Sequence, residues 1–128
     1  MIGDTVFSWR AAGAGHRITF EPRAVLEHHH VSSWPGLLRE RFQRAQEFAW
    51  VRSELEAWHR ARLIRQLVVS LIPIRWANLV LRTLRASIQA NLVRDFVFAF
   101  PVVASAHAAW LAGESLSLFD ALVHRARD

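Results

Sequence analysis

Residues 33–49 read Ser-Trp-Pro-Gly-Leu-Leu-Arg-Glu-Arg-Phe-Gln-Arg-Ala-Gln-Glu-Phe-Ala, and this stretch decides that the chain is mainly helical. Apolar residues recur along it at spacings of three and four, at Leu38, Phe42, Ala45 and Ala49. Such spacing places them on one stripe of a helix, with most of the charged residues off it. A serine can cap the first turn, where proline is also tolerated. The pattern predicts a helix from Pro35 to about Leu71.

Two further apolar runs follow Pro73, which interrupts the first pattern. One side of the second run carries Trp76, Leu79, Val80, Leu84 and Ile88. The other side carries Arg75, Arg82 and Arg85. The third run, residues 96–112, is apolar almost throughout, and we expect it to end at Gly113 and Glu114. These runs predict two more helices.

The first thirty-two residues have a different pattern. Residues 5–12 are predicted to form a short helix after Asp4, whose carboxylate can cap it, and Gly13 and Gly15 end it. Residues 18–20 and 24–28 are predicted to be extended, with Pro22 bending the chain between them. The expected fold class is therefore mainly α with a short β segment, divided into residues 1–32 and 33–128.

Composition narrows the possible functions. About half of the 128 residues are apolar, which excludes general disorder. With no cysteine, there is no disulfide framework and no thiolate metal site. The net charge of +5 suits anionic lipid surfaces or phosphate groups. A nucleic-acid partner is not expected, because the arginines scatter around the helices among glutamates instead of forming a stripe of one sign.

The apolar runs predict association with a membrane. Residues 96–112 are fewer than the roughly 20 needed to span a bilayer, and they include a histidine and a proline. We expect the second and third runs to form a hairpin in or dipping into the membrane interface, with tryptophans at headgroup depth and arginines reaching phosphates. The expected interface residues are Trp76, Arg75, Arg82, Arg85 and Trp110. The alternative is a soluble helical bundle with the third helix at its centre.

Two groups of motifs resemble parts of bacterial family 2 glycosyltransferases, and together they cover nearly the whole chain. The first group is Gly3-Asp4-Thr5, the stretch Ile-Thr-Phe-Glu-Pro-Arg-Ala-Val at residues 18–25, and the histidines at 28–30. The second group is Arg41-Phe42-Gln43-Arg44, Phe100-Pro101 and Ala109-Trp110-Leu111-Ala112-Gly113-Glu114. The resemblance implies the closing part of a GT-A catalytic domain, followed by the helical tail of a membrane-associated enzyme.

The resemblance implies that Asp4 is the general base that deprotonates an acceptor hydroxyl. A carboxylate at the head of a helix suits this role, because the helix dipole keeps it ionised. The alternative is that Asp4 only caps the helix. Trp9 and Arg10 are implied to lie at the acceptor cleft; alternatively, Trp9 packs in a core and Arg10 is solvated.

The histidine run is the expected metal site. On a strand, His28 and His30 share a face and can bind one divalent ion through their imidazoles. The resemblance places this run near a magnesium or manganese ion and the leaving diphosphate. The other ligands of that ion would come from an Asp-x-Asp motif, which this sequence lacks. We therefore expect no tight metal binding by this chain. The alternatives are solvated histidines or a small metal-binding regulator.

The sequence therefore predicts a fragment of a glycosyltransferase that moves a sugar from a nucleotide-sugar donor to a hydroxyl acceptor in cell-envelope glycan or glycolipid synthesis. We expect the nucleotide-binding half to be missing, since no Gly-rich phosphate loop is present either, and the isolated chain to be inactive. The expected location is the cytoplasmic face of the membrane, peripheral or integral, without secretion. The alternative is a non-catalytic helical membrane-interface or interaction protein.

Overall fold

The computed structural model describes residues 3–17, 19 and 33–124, in two compact units, Met1–Val31 and Ser32–Asp128. The first unit contains helix α1 (Gly3–Gly13). The helix ends at Gly15, whose φ of 82° lies in the left-handed region, while the His16 amide donates to the Ala11 carbonyl at 3.0 Å. The predicted helix and its glycine stop are therefore present. The predicted extended stretches lie outside the described residues except for Thr19, which belongs to no regular element.

The second unit consists of α2 (Trp34–Leu55), α3 (Arg60–Leu71), α4 (Pro73–Gln89) and α5 (Val93–His124). The mainly helical class is confirmed, and no strand occurs within the described ranges. The start of α2 is as predicted, because Ser33 accepts a hydrogen bond from the Gly36 amide at 3.3 Å and a proline occupies the first turn.

Two predicted boundaries are wrong. The single helix expected from Pro35 to Leu71 is broken at residues 56–59 into α2 and α3. The third helix does not end at Gly113 and Glu114 but continues for ten residues beyond Glu114, to His124. The second error arises because Gly113 and Glu114 make tertiary contacts that local sequence rules do not include.

Helix α5 is the central element, and the other three helices pack on it. Along α2, the indole of Trp34 donates to Ser105 Oγ at 3.0 Å, and Phe42 lies against Gly113, so α2 and α5 run parallel. Helices α3 and α4 follow α5 in the opposite direction, with a bend of 66° between them. The buried core lies at the C-terminal end of α5 and consists of Ala49, Trp58, Leu63 and Leu118.

The bend between α2 and α3 is held by a charged cluster around Glu56. Its carboxylate accepts hydrogen bonds from Arg52 Nε and from the indole of Trp58, both at 2.9 Å, and from Arg62. Both arginines also lie over the Trp58 ring, which is buried. Ala57, which lies between Glu56 and Trp58, has a φ of 45°, and this turns the chain at the end of α2. The hydrogen bond from Arg52, followed by that from Trp58, lowers the pKa of Glu56 to about 2.

Helices α2 and α5 approach closely at Gly113. A Cβ atom at this position would lie 2.2 Å from the carbonyl oxygen of Phe42, a backbone atom that cannot rotate away. A glycine inside a helix ordinarily lowers stability by about 1 kcal/mol relative to alanine. Gly113 is therefore required by packing, and it is not a helix stop.

We predict that Gly113→Ala destabilises the protein by about 2 kcal/mol or more, because α2 must move away from α5. The matched control is Ala112→Gly at the exposed neighbouring position, which should cost about 1 kcal/mol from helix propensity alone. Urea unfolding followed by circular dichroism measures both. A stabilised Gly113→Ala variant would show that the two helices do not meet at this residue.

We predict that Glu56 stabilises the fold at neutral pH and that acid removes this effect. The folded pKa of about 2 lies below the ordinary 4.5, so the contribution is fully present above about pH 4.5 and is lost as the pH falls towards 2. Urea midpoints of wild type and Glu56→Gln should therefore differ at pH 6 and converge near pH 2. The control is Asp120→Asn, at an exposed position. A Glu56→Gln difference that stays constant with pH would contradict the assignment.

Candidate functional site

The expected catalytic residues of the first unit lie on α1. Asp4 is in the first turn of the helix and not before it, so it is not the N-cap residue. Trp9, with 43 % of its surface exposed, and the exposed Arg10 lie near the other end. Their proposed roles in an acceptor cleft stay predictions.

The expected metal ligands His28 and His30 lie outside the described residues. Within the described ranges, no group of three or more histidine, aspartate or glutamate side chains is placed to hold a metal ion. The metal site therefore stays a prediction.

A buried ion pair joins α5 to the joint between α3 and α4. Glu114 is only 6 % exposed, and its Oε1 accepts a hydrogen bond from Arg75 Nη2 at 3.1 Å. Its Oε2 lies 2.7 Å from Arg75 Nη1. This contact is an ion pair and not a hydrogen bond, because no N–H of Arg75 points at Oε2. The same Nη1 donates to the hydroxyl of buried Ser70, which in turn donates to the Gln66 carbonyl at 2.9 Å. Because Ser70 lies in the last turn of α3 and Arg75 in the first turn of α4, this network fixes the bend.

The sequence pattern placed Arg75 on the outward side of its helix, and this is wrong. The sequence nevertheless indicated that Glu114 forms an ion pair, because this residue is a lone acid in a long apolar run. A charge that is buried must be paired, so such an acid indicates a cationic partner on a neighbouring helix. Reading Glu114 as a helix stop missed this signal.

The two expected interface tryptophans are half-buried between helices. The indole of Trp76 donates to the Ala104 carbonyl of α5 at 2.9 Å. Trp110 packs against Phe48, with ring centroids 5.9 Å apart. Arg82 and Arg85, in contrast, are exposed on α4. Both tryptophans therefore have packing contacts, whether or not they also meet a membrane.

Apolar side chains are exposed on all five described helices, and those on α3 and α4 form stripes. On α4 a heptad-spaced stripe of Ile74, Leu81 and Ile88 is exposed, with Arg82 and Arg85 beside it. On α3 the exposed stripe is Ile64, Val68 and Leu71. Helix α5 is long and apolar enough to cross a membrane, and only 17 % of its most apolar window is buried. A core helix of a soluble protein would be mostly buried, and the apolar surface of α5 is mostly not.

A groove of about 440 Å³ lies on α5 between α2 and α4. These two helices pack on α5 and not on each other, which leaves the space open. The lining residues are Leu37, Arg41, Leu79, Thr83, Val102, Val103, Ala106, His107 and Trp110. The walls are mostly apolar, and the polar side-chain groups are the Arg41 guanidinium, the Thr83 hydroxyl, the His107 imidazole and the Trp110 indole N–H.

His107 and Thr83 satisfy each other inside this groove. Their Nε2 and Oγ1 atoms lie 3.0 Å apart, and the Thr83 hydroxyl donates to the Leu79 carbonyl at 3.0 Å. Since the hydroxyl has one hydrogen, Nε2 is the donor to Thr83. Burial lowers the pKa of His107, and the charge of nearby Arg41 lowers it further.

No protein-family model, curated protein or solved structure matches the chain.

We predict strong coupling between Arg75 and Glu114. Removal of one partner from a buried pair leaves an uncompensated charge, so Arg75→Met should cost about 3 kcal/mol. The double variant Arg75→Met/Glu114→Gln should lose less than the sum of the two single variants, by about 1 to 2 kcal/mol. Urea unfolding of the four proteins measures this coupling.

The exposed pair Glu40–Arg44, 2.5 Å apart, is the matched control for this cycle. Its coupling should stay below about 0.5 kcal/mol, because solvent screens the charges. Equal coupling in the two pairs would show that burial of Glu114 does not strengthen its interaction.

Proposed function

We propose that this chain is the C-terminal part of a membrane-associated family 2 glycosyltransferase. In this proposal residues 1–32 complete the catalytic domain, including its short β segment, and residues 33–128 form the helical tail. The complete enzyme transfers a sugar from a nucleotide-sugar donor to a hydroxyl acceptor in the synthesis of a cell-envelope glycan or glycolipid.

The supporting observation is that separate motifs of the resemblance meet in the fold. Phe42, from the Arg-Phe-Gln-Arg motif of α2, contacts Gly113, seventy-one positions along the chain. The next residue, Glu114, binds Arg75 at the joint of α3 and α4. Phe42, Gly113 and Glu114 thus lie where helices join, which is expected if their motifs belong to one structural unit.

In the proposed reaction, Asp4 removes the proton from the acceptor hydroxyl, and the oxygen attacks the anomeric carbon of the sugar. The bond from that carbon to the diphosphate breaks, and the nucleoside diphosphate leaves with the electron pair. A divalent metal, when bound, supplies positive charge to the leaving group. His28 or His30 would contribute to its binding, and two imidazoles are fewer ligands than a tight site requires.

The helical tail is proposed to lie along the cytoplasmic face of the membrane. The exposed stripe of α4 would enter the acyl boundary, while Arg82 and Arg85 beside it would reach lipid phosphates. An orientation in the membrane plane suits α5, because its centre carries the polar contacts of His107 and Glu114.

The coding DNA upstream of the Met1 codon provides the first test. We expect an open frame that encodes an Asp-x-Asp motif and a nucleotide-binding fold. An in-frame stop codon followed by a ribosome-binding site would exclude the proposal. Sugar transfer by the isolated chain would show that the front half is not essential.

In the complete enzyme, we predict that Asp4→Asn lowers kcat by about 100-fold or more with little change in KM, since it removes the base without removing binding groups. Asp95→Asn, which changes an exposed acid on α5, should leave kcat unchanged. Transfer assays with the native nucleotide sugar measure both. An unchanged rate in Asp4→Asn would reduce this residue to a structural role in α1.

A second candidate function is a non-catalytic helical protein of the membrane interface. The exposed stripes of α3 and α4 favour it, because they lie within the second unit and require no catalytic domain. Both candidates involve anionic membranes, so the upstream sequence and the Asp4→Asn assay distinguish them.

Binding to vesicles of phosphatidylglycerol is predicted to depend on the exposed α4 stripe. Leu81→Glu should weaken it by about tenfold or more, since the variant loses apolar burial and introduces an acidic side chain. The matched control is Asn78→Glu, which places the same charge at an exposed polar position of α4. Equal losses in the two variants, measured by vesicle flotation, would show that charge alone governs binding.

A further inference from the structure

We infer that the groove between α2 and α4 is a binding site for one anionic amphiphile, with its acidic head at Arg41 and its alkyl chain along α5. The inference is independent of the proposed transferase activity, because every lining residue belongs to the second unit.

The shape of the groove suits an alkyl chain. Its volume of about 440 Å³ is within the range of small-molecule sites, roughly 300 to 1,000 Å³. Leu37 and Leu79 form opposite walls, and Val102, Val103 and Ala106 form the floor on α5. A saturated chain needs no hydrogen-bond partners, so it can occupy these surfaces without leaving polar atoms unpaired.

The charges select an anionic head group. Arg41 lies one turn beyond Leu37 on α2 and has no ion-pair partner among the described residues. The neighbouring Glu40 forms an ion pair with Arg44, with an N–O distance of 2.5 Å, so it does not neutralise Arg41. No carboxylate lines the groove. A guanidinium binds phosphate or carboxylate oxygens in a forked arrangement.

The remaining polar groups do not compete for this head. The His107 imidazole donates through Nε2 to Thr83, whose hydroxyl is bonded to the Leu79 carbonyl. The Thr83 hydroxyl is thus satisfied, and Arg41 is the only permanently charged group of the lining. The site therefore has one cationic end and a largely apolar remainder, which is the complement of an amphiphile with one acidic head.

The test is calorimetry on the full chain with dodecyl phosphate below its critical micelle concentration. We expect saturable binding of one molecule per chain. Dodecyltrimethylammonium carries the same chain with a cationic head and should bind at least tenfold more weakly. Inorganic phosphate carries the head alone and should show no measurable binding, which separates a lipid from a free anion.

Variants locate the site. Arg41→Gln should weaken dodecyl phosphate binding about tenfold, the loss expected for one charge-assisted hydrogen bond. Arg39→Gln is the matched control on the same helix, since Arg39 is exposed outside the groove. Ala106→Leu fills the groove and should abolish binding, while Leu81→Glu on the outer stripe should leave it unchanged. Circular dichroism verifies that each variant is folded.

Three results would overturn the inference: equal affinity for the two head groups, equal loss in Arg39→Gln and Arg41→Gln, or loss in Leu81→Glu with none in a folded Ala106→Leu. If Ala106→Leu does not fold, the comparison of Arg41→Gln with Arg39→Gln decides the question.

Discussion

The ion pair between Glu114 and Arg75 is the constraint on which the arrangement of the helices depends. It places a buried carboxylate of α5 at the joint where α3 ends and α4 begins. Arg75 of α4 donates a hydrogen bond to Glu114 and another to the Ser70 hydroxyl of α3. The network therefore requires residues from both helices. Since a buried charge without a partner is strongly unfavourable, the two short helices must meet at this point of α5. The 66° bend lies at Ile72 and Pro73, where the proline cannot continue α3, and it lets both helices reach this point.

The adjacent residue of α5 fixes the opposite side of the bundle. Gly113 lets the backbone of α2 approach so closely that no side chain fits between the two helices. With α2 held on one side and α4 on the other, the space between them over α5 remains unfilled. The proposed amphiphile site is therefore a consequence of these two neighbouring contacts, and the exposed apolar stripes lie on surfaces that they leave uncovered.

The success of sequence reasoning differed between elements for identifiable reasons. The start of α2 and the end of α1 were predictable, because a serine cap and a left-handed glycine act within one turn of the chain. The break after α2 was not, because it depends on Glu56 binding two arginines and the indole of Trp58. In the candidate site, Arg82 and Arg85 lie on the exposed side as predicted, whereas the pairing of His107 with Thr83 joins two helices and has no local pattern.

The sequence by itself determined that this protein is mainly helical, basic and rich in amphipathic surface, because these properties follow from periodicity and composition. It also contained the motifs that suggest a glycosyltransferase. Only the tertiary structure decided that Gly113 and Glu114 continue the central helix instead of ending it. Gly113 is a favourable stop signal in isolation, and the helix continues because α2 and Arg75 provide contacts that only the folded chain brings together.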